Sequence, residues 1–333
     1  MRFLHILIIL IFNYNSFSQE FSFFNADFSA TSLSLGGNVI TKSDDISLTH
    51  KTTSLLNQSQ KNHIAFDYLS LSNEINFFSF VYANELKNFA MCNFGLKNLN
   101  YGNFQGYDVN GFQANEFHAN DLIFFSGVSK MIMEDLTLGM NLELLHSNYE
   151  SFSALAIASN TSLTYNNKKK KLIFSLSLNN FGRQINGFTD IEEKVPISLK
   201  FGMSKSLNHL PFTYYISLHD LQRFDISGPV QASQSYRDDE TILKKMFYHV
   251  NIGGELNPFK KNLFFRFGFN FQKRYQMMVR NIPQLAGFSS GVGIKFSSFT
   301  LDYAITSNHT SSVSNVFSLK MNLSSFVPNG KKD

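Results

Sequence analysis

Ser289 stands in the stretch Gly287-Phe288-Ser289-Ser290-Gly291, which fits the G-x-S-x-G spacing of a nucleophile elbow. That motif needs a strand, a sharp turn and then a helix to lift the serine hydroxyl toward a base. Val292, Gly293, Ile294, Lys295 and Phe296 instead continue an alternating strand pattern. Phe288, Val292, Ile294 and Phe296 would share one face, leaving Ser289, Gly291 and Gly293 on the other. His219-Asp220 pairs a base with an orienting carboxylate, but it closes a strand pattern and reads as a polar strand end. A lumen-side hydrolase would need Ser289 beside a histidine, and the nine histidines are dispersed, none at H-E-x-x-H spacing. Asp44-Asp45 and Asp238-Asp239-Glu240 offer oxygen donors for calcium without the spacing of a calcium loop. Lys168 to Lys171 follow Asn166-Asn167 between two strand patterns, so they are expected in a solvated turn and not in a nucleic-acid patch. The expectation is no catalytic residue, no metal, no cofactor and no nucleic-acid partner.

The elements that carry these residues are strands. Phe317, Leu319, Met321 and Leu323 alternate with Ser318, Lys320, Asn322 and Ser324. Leu263, Phe265, Phe267, Phe269 and Phe271 oppose Arg266, Gly268, Asn270 and Gln272 in the same way. A period of two sends successive side chains to opposite faces of a sheet. Such segments fall near 63–70, 75–83, 89–100, 117–130, 134–148, 151–165, 171–181, 195–206, 212–219, 246–256, 262–272, 286–296, 298–306 and 313–323. The count is fourteen, even as single-chain bacterial barrels require. The composition agrees, with 37 Phe, 13 Tyr, six Pro and no Trp. A mean hydropathy of −0.12 excludes a bundle of membrane helices but suits a barrel, where only alternate residues meet lipid. A secreted β-sandwich would put more charge on its outer face than the Ser, Asn, Gly and Thr found here.

Arg2 followed by the apolar run Phe3 to Phe12, with Ser16 and Ser18 before Gln19, reads as a cleaved signal peptide over 1–18. Cys92 is the only cysteine, so neither an internal disulfide nor a lipoprotein anchor is expected. The net charge of +4 is weak and scattered. Residues 63–326 form the expected barrel, 327–333 a tail, and 19–62 an N-terminal segment of a size to cross or plug the lumen. Connections alternate in length. The even-numbered ones, such as Met131–Met133 and Ser297-Ser298, are short and expected at the periplasmic end. Four odd-numbered ones, Tyr101–Glu116, Gly182–Lys194, Asp220–Lys245 and Lys273–Leu285, are long and expected outside.

Several landmarks in order resemble the PorV/PorQ family of type IX secretion outer-membrane proteins, and its PorQ-type members in particular. Leu33-Ser34-Leu35-Gly36-Gly37 and Ser43-Asp44-Asp45 resemble its A-L-G-G and D-D stretch. Tyr101-Gly102-Asn103-Phe104-Gln105-Gly106-Tyr107-Asp108 resembles its Y-G-x-F-x-G-Y-D loop. His219-Asp220-Leu221-Gln222-Arg223-Phe224-Asp225 resembles its H-x-L-Q-x-W-D segment, with Phe224 in the place of Trp. Thr52 to Asn57 lack the family's N-P-A before Leu55-Leu56. The resemblance implies a FadL-like fourteen-stranded barrel in the outer membrane, in contact with its lipid. It also implies a scaffold that anchors a PorZ-type surface protein in an attachment complex with a PorU-type sortase and a PorV-type barrel. Tyr101, Phe104, Tyr107, Phe112, Arg223 and Phe224 are the expected outer contacts, since aromatic and arginine side chains anchor interfaces. The alternative is a FadL-like transporter of fatty acids or other hydrophobic compounds, which should hold an apolar pocket or side opening. A scaffold is compatible with a filled, polar lumen.

Overall fold

The computed structural model describes residues 22–71, 75–87, 89–188, 193–226, 241–259, 262–276, 285–307 and 313–326. The expected signal peptide, the tail and Asp238-Asp239-Glu240 lie outside the described residues. Fourteen antiparallel strands close into a barrel in sequence order. They are β1 (His63–Ser70), β2 (Asn76–Leu86), β3 (Ala90–Tyr107), β4 (Gln113–Met133), β5 (Leu136–Tyr149), β6 (Phe152–Asn167) and β7 (Leu172–Asn186). There follow β8 (Ser198–Ser206), β9 (Phe212–Leu218), β10 (Val250–Leu256), β11 (Leu263–Asn270), β12 (Phe288–Phe296), β13 (Phe299–Ser307) and β14 (Val313–Asn322). The ring closes where His63 to Ser70 pair with Asn322 to Asn315.

The alternation read from the sequence is the alternation of the wall. On β5, Asn141, Glu143 and Ser147 are buried inside, while Leu138, Met140, Leu142 and Leu144 are exposed outside. On β11, Arg266 and Asn270 face in and Phe267 faces out. An exposed apolar belt around a polar interior is the inverse of a soluble fold and fits a lipid surround. No described helix is long and apolar enough to cross a membrane. The turns after β2, β4 and β6 are tight, and Lys87, Asp135 and Lys171 adopt positive φ there (44°, 66° and 49°). Lys168 to Lys171 form such an exposed turn, as expected.

Three expectations of element boundaries are corrected. Tyr101–Glu116 is not a loop, because β3 and β4 continue through it and leave only residues 108–112 as the connection. Gly102, at φ 87° with its amide held by Asn100 Oδ1 (2.7 Å), absorbs a register shift between Asn100 and Asn103. Pairing then resumes beyond the break in alternation. The strand expected from residue 246 begins at Val250, after a helix over Ile242–Tyr248. Phe271, expected to end a strand, opens a helix over Phe271–Gln276.

The N-terminal segment is built of short turns. A helix over Ala30–Ser34 touches β11 to β14, the turn Ile46–Leu48 touches β1 and β2, and the turn Thr53–Leu55 touches β4 to β6. The segment thus contacts strands on opposite sides of the closed ring. Glycines on the inward face make the room. A Cβ on Gly139 would stand 2.1 Å from the Ser54 amide nitrogen, and one on Gly268 would stand 2.0 Å from that of Gly36.

Candidate functional site

Inside the barrel, charge is paired across the ring. Lys51 Nζ lies 3.2 Å from Glu143 Oε2 on β5, and the same carboxylate faces Lys97 of β3 at 3.7 Å. Asn160 donates to Glu143 (2.9 Å) and Lys51 donates to Asn180 (2.8 Å). A second network begins at Lys42, 3.0 Å from Glu255 of β10. It runs through Arg266 of β11 (2.6 Å to Glu255) to Asp302 of β13, then to Lys320 of β14 (2.9 Å from Asp302) and Asp45. Buried charges persist only when paired and hydrogen-bonded, and here the inner segment supplies Lys42, Asp45 and Lys51. Uncharged bonds fill the gaps. The Ser54 amide donates to Ser162 Oγ (2.9 Å), and Asn141 donates to the His50 carbonyl (2.6 Å).

Above this polar layer, toward the end carrying the odd-numbered connections, lies an apolar one. Phe23, Phe24 and Phe28 of the inner segment are buried against Leu99, Ile123, Leu145 and the small side chains Ala154, Ala156 and Ala158. Tyr101, expected as an outer contact, turns inward instead. Its hydroxyl donates to Asp121 Oδ2 (2.8 Å), as does that of Tyr149 (3.0 Å). Phe104 stacks on Phe117 across the hairpin (5.3 Å between centroids). Tyr107, Val109 and Phe112 at the tip are exposed. Asp108 shapes that tip, accepting from the amides of Asn110 (2.8 Å) and Phe112 (2.9 Å).

His219 to Asp225 form the corner that follows β9. Asp220, at φ 53°, turns the chain so that the Leu221 amide donates to the Leu199 carbonyl (3.0 Å). Gln222 Oε1 accepts from the Leu199 amide (2.8 Å) and Gln222 Nε2 donates to the Ile197 carbonyl, so the corner caps the free end of β8. His219 is buried, and its Nδ1 meets Asp220 Oδ2 at 2.9 Å. Burial pushes the Asp220 carboxyl up, but the hydrogen bond and charge of His219, with the charge of Lys200, outweigh it and hold it well below the usual carboxylate range. His219 therefore partners a structural carboxylate. Asp225 pairs with Lys245 (2.6 Å), and Arg223 and Phe224 are exposed.

The other sequence candidates also find structural places. Ser289 Oγ donates to the Ser34 carbonyl (3.2 Å) from the second residue of β12. Gly287 lies in the turn before that strand (φ 84°), and from Phe288 the strand runs on through Ser290 and Gly291 to Phe296, with no helix after the serine. Gly36 and Gly37 take φ of 95° and 82° as the inner helix turns away from β11, and Asp45 caps the turn Ile46–Leu48. Asp44 is paired with Lys42 (3.1 Å). Gly106 lies against the Asn115 carbonyl across the hairpin. The inward glycines of β5, β8, β10 and β11 were the unused signal for the inner segment's path.

No family model matches the chain, and no curated protein matches it. Solved structures do. The toluene transporter TodX of Pseudomonas putida superposes with a TM-score of 0.56 at 12% identity, covering 90% of this chain and 99% of that one. The monoaromatic hydrocarbon channel CymD superposes with a TM-score of 0.52 at 12% identity, covering 90% of this chain and 98% of that one. At such identity the likeness is one of fold, and the chain has the closed fourteen-stranded, FadL-like architecture of these outer-membrane channels.

Proposed function

We propose that the protein is an accessory outer-membrane barrel of the PorV/PorQ type, closed within and working through its outer surface as an anchor for a soluble surface protein. The carrying observation is the inner segment itself. It bonds to strands around the whole ring and pairs charges in two networks, so the lumen is spent on holding the chain's own residues. The outward parts are the hairpin tip, with Tyr107 and Phe112, and the corner with Arg223 and Phe224. Exposed aromatic side chains on a braced hairpin suit interface anchors. A PorZ-type protein is the partner that the sequence resemblance supplies, with PorU-type and PorV-type proteins beyond it. The test is isolation of the tagged barrel from native outer membranes after mild cross-linking. Stoichiometric recovery of one surface protein, lost in Tyr107→Ala/Phe112→Ala, is the expected result. A barrel recovered alone with bound lipid or fatty acid would overturn it.

The solved structures favour a second reading, a channel for small hydrophobic compounds, as TodX and CymD are described. The apolar layer around Phe23, Phe24 and Phe28 supports it, since displacement of these rings would leave a chamber lined by Leu99, Ile123 and Leu145. A shared fold does not by itself carry a shared function. Saturable binding of toluene or a long-chain fatty acid to the purified full chain is the measurement that favours this reading.

A further inference from the structure

The wall is not of even height. β3 and β4 run 18 and 21 residues, whereas β9 and β10 have seven each. Seven residues rising about 3.3 Å each and tilted about 40° cover roughly 18 Å of an apolar band about 25 Å tall. Something other than a strand must face lipid above this low side.

The helix over Ile242–Tyr248 sits there, leading directly into β10. Ile242, Leu243, Met246 and Phe247 follow helical spacing onto one face, and they are 66%, 62%, 56% and 40% exposed. Tyr248 is buried on the other side, where its ring meets Tyr275 at 5.1 Å. A helix on an aqueous rim turns its apolar face inward, and this one does the reverse. It is also fixed in place. Lys245 pairs with Asp225 (2.6 Å) and Gln272 donates to the Ile226 carbonyl (3.1 Å), tying corner and helices together. Phe247 touches Phe271 (5.3 Å), Phe271 touches Phe269 (4.7 Å) and Phe269 touches Phe288 (4.7 Å), an unbroken run of rings into the outward belt of the barrel.

We propose that this helix is a lipid-contact panel, its Ile242, Leu243, Met246 and Phe247 face lying among bilayer acyl chains and completing the wall where β9 and β10 fall short. The occupant is lipid because the face is continuous, through the rings of Phe271, Phe269 and Phe288, with the lipid-facing belt. An amphipathic helix buries such a face into the boundary of headgroups and acyl chains. The inference rests on the barrel spanning a bilayer and not on what, if anything, passes through it.

The chain has no tryptophan, so one introduced residue reports one place. Full-length F247W is refolded into phosphatidylcholine vesicles carrying brominated acyl chains, which quench indole emission on contact. F267W in the belt and F112W at the hairpin tip are the references. The expected result is a loss of emission in F247W comparable to that in F267W, with a maximum blue-shifted from that of F112W. Because the Phe247 ring packs on Phe271, M246W is read in parallel, since Met246 lies on the same exposed face. If both panel variants behave as F112W does while F267W is quenched, the panel is overturned and the face awaits a protein. If F267W escapes quenching as well, the spanning reading fails and takes the panel with it.

Discussion

Replacing Glu143 by glutamine would leave Lys51 and Lys97 facing each other inside the barrel without a carboxylate between them. Breaking a buried pair on one side is far more damaging than never having built it, so a loss of about 3 kcal/mol is expected. Urea unfolding of the refolded chain in vesicles reads it, and an unchanged midpoint would show that the two lysines find other partners. A subtler residue-scale test is Gly268→Ala. Its Cβ would stand 2.0 Å from the Gly36 nitrogen and 2.3 Å from the Leu35 carbonyl carbon, both of them backbone. Overpacking of this kind costs about 2 kcal/mol, and it should fall on the docking of the inner segment. Limited proteolysis should then cut within 29–60 while the barrel keeps its heat-modifiable mobility. Cleavage no faster than in the parent would mean that the segment yields without undocking.

At the scale of elements, the β3–β4 hairpin tip and the corner after β9 act as braces. Asp108→Ala removes an acceptor from two backbone amides at the hairpin tip and should loosen it by about 1 kcal/mol. Hydrogen exchange at Asn110 and Phe112 should quicken while the β3–β4 ladder below stays protected. The corner after β9 has its own pH signature. The Asp220 carboxyl is held below its ordinary value, so its stabilisation is complete above an unfolded carboxylate pKa of about 4 and fades as pH falls through the folded value. Exchange of the Leu221 amide should therefore rise on acidification below about pH 4, and Asp220→Asn should flatten that dependence. Strands of unbroken alternation, such as β5 and β11, were readable residue by residue because burial on one face only imposes a period of two. The hairpin extension was not, since Gly102 shifts the register and Tyr101 turns from an expected outer contact to a ligand of Asp121. The helix before β10 was hidden for a different reason. Its Met246 and Phe247 read as the start of a strand, because short apolar runs carry no decisive period.

For the whole molecule, the polar interior and apolar exterior were legible in the sequence, but the path of the inner segment was not. That segment has no periodicity of its own. Its shape is imposed by contacts with Ser162, Glu143, Glu255 and Lys320, all more than fifty residues away in the chain. On the proposed reading the bore is filled by these N-terminal residues, and the outer features lie on a braced hairpin and corner. The most direct test of that claim is equilibrium binding of a radiolabelled long-chain fatty acid to the delipidated full-length protein. Only non-saturable partition into the detergent is expected. Saturable binding at one per barrel, abolished by Ala156→Phe in the apolar layer, would contradict it and make the bore a ligand site.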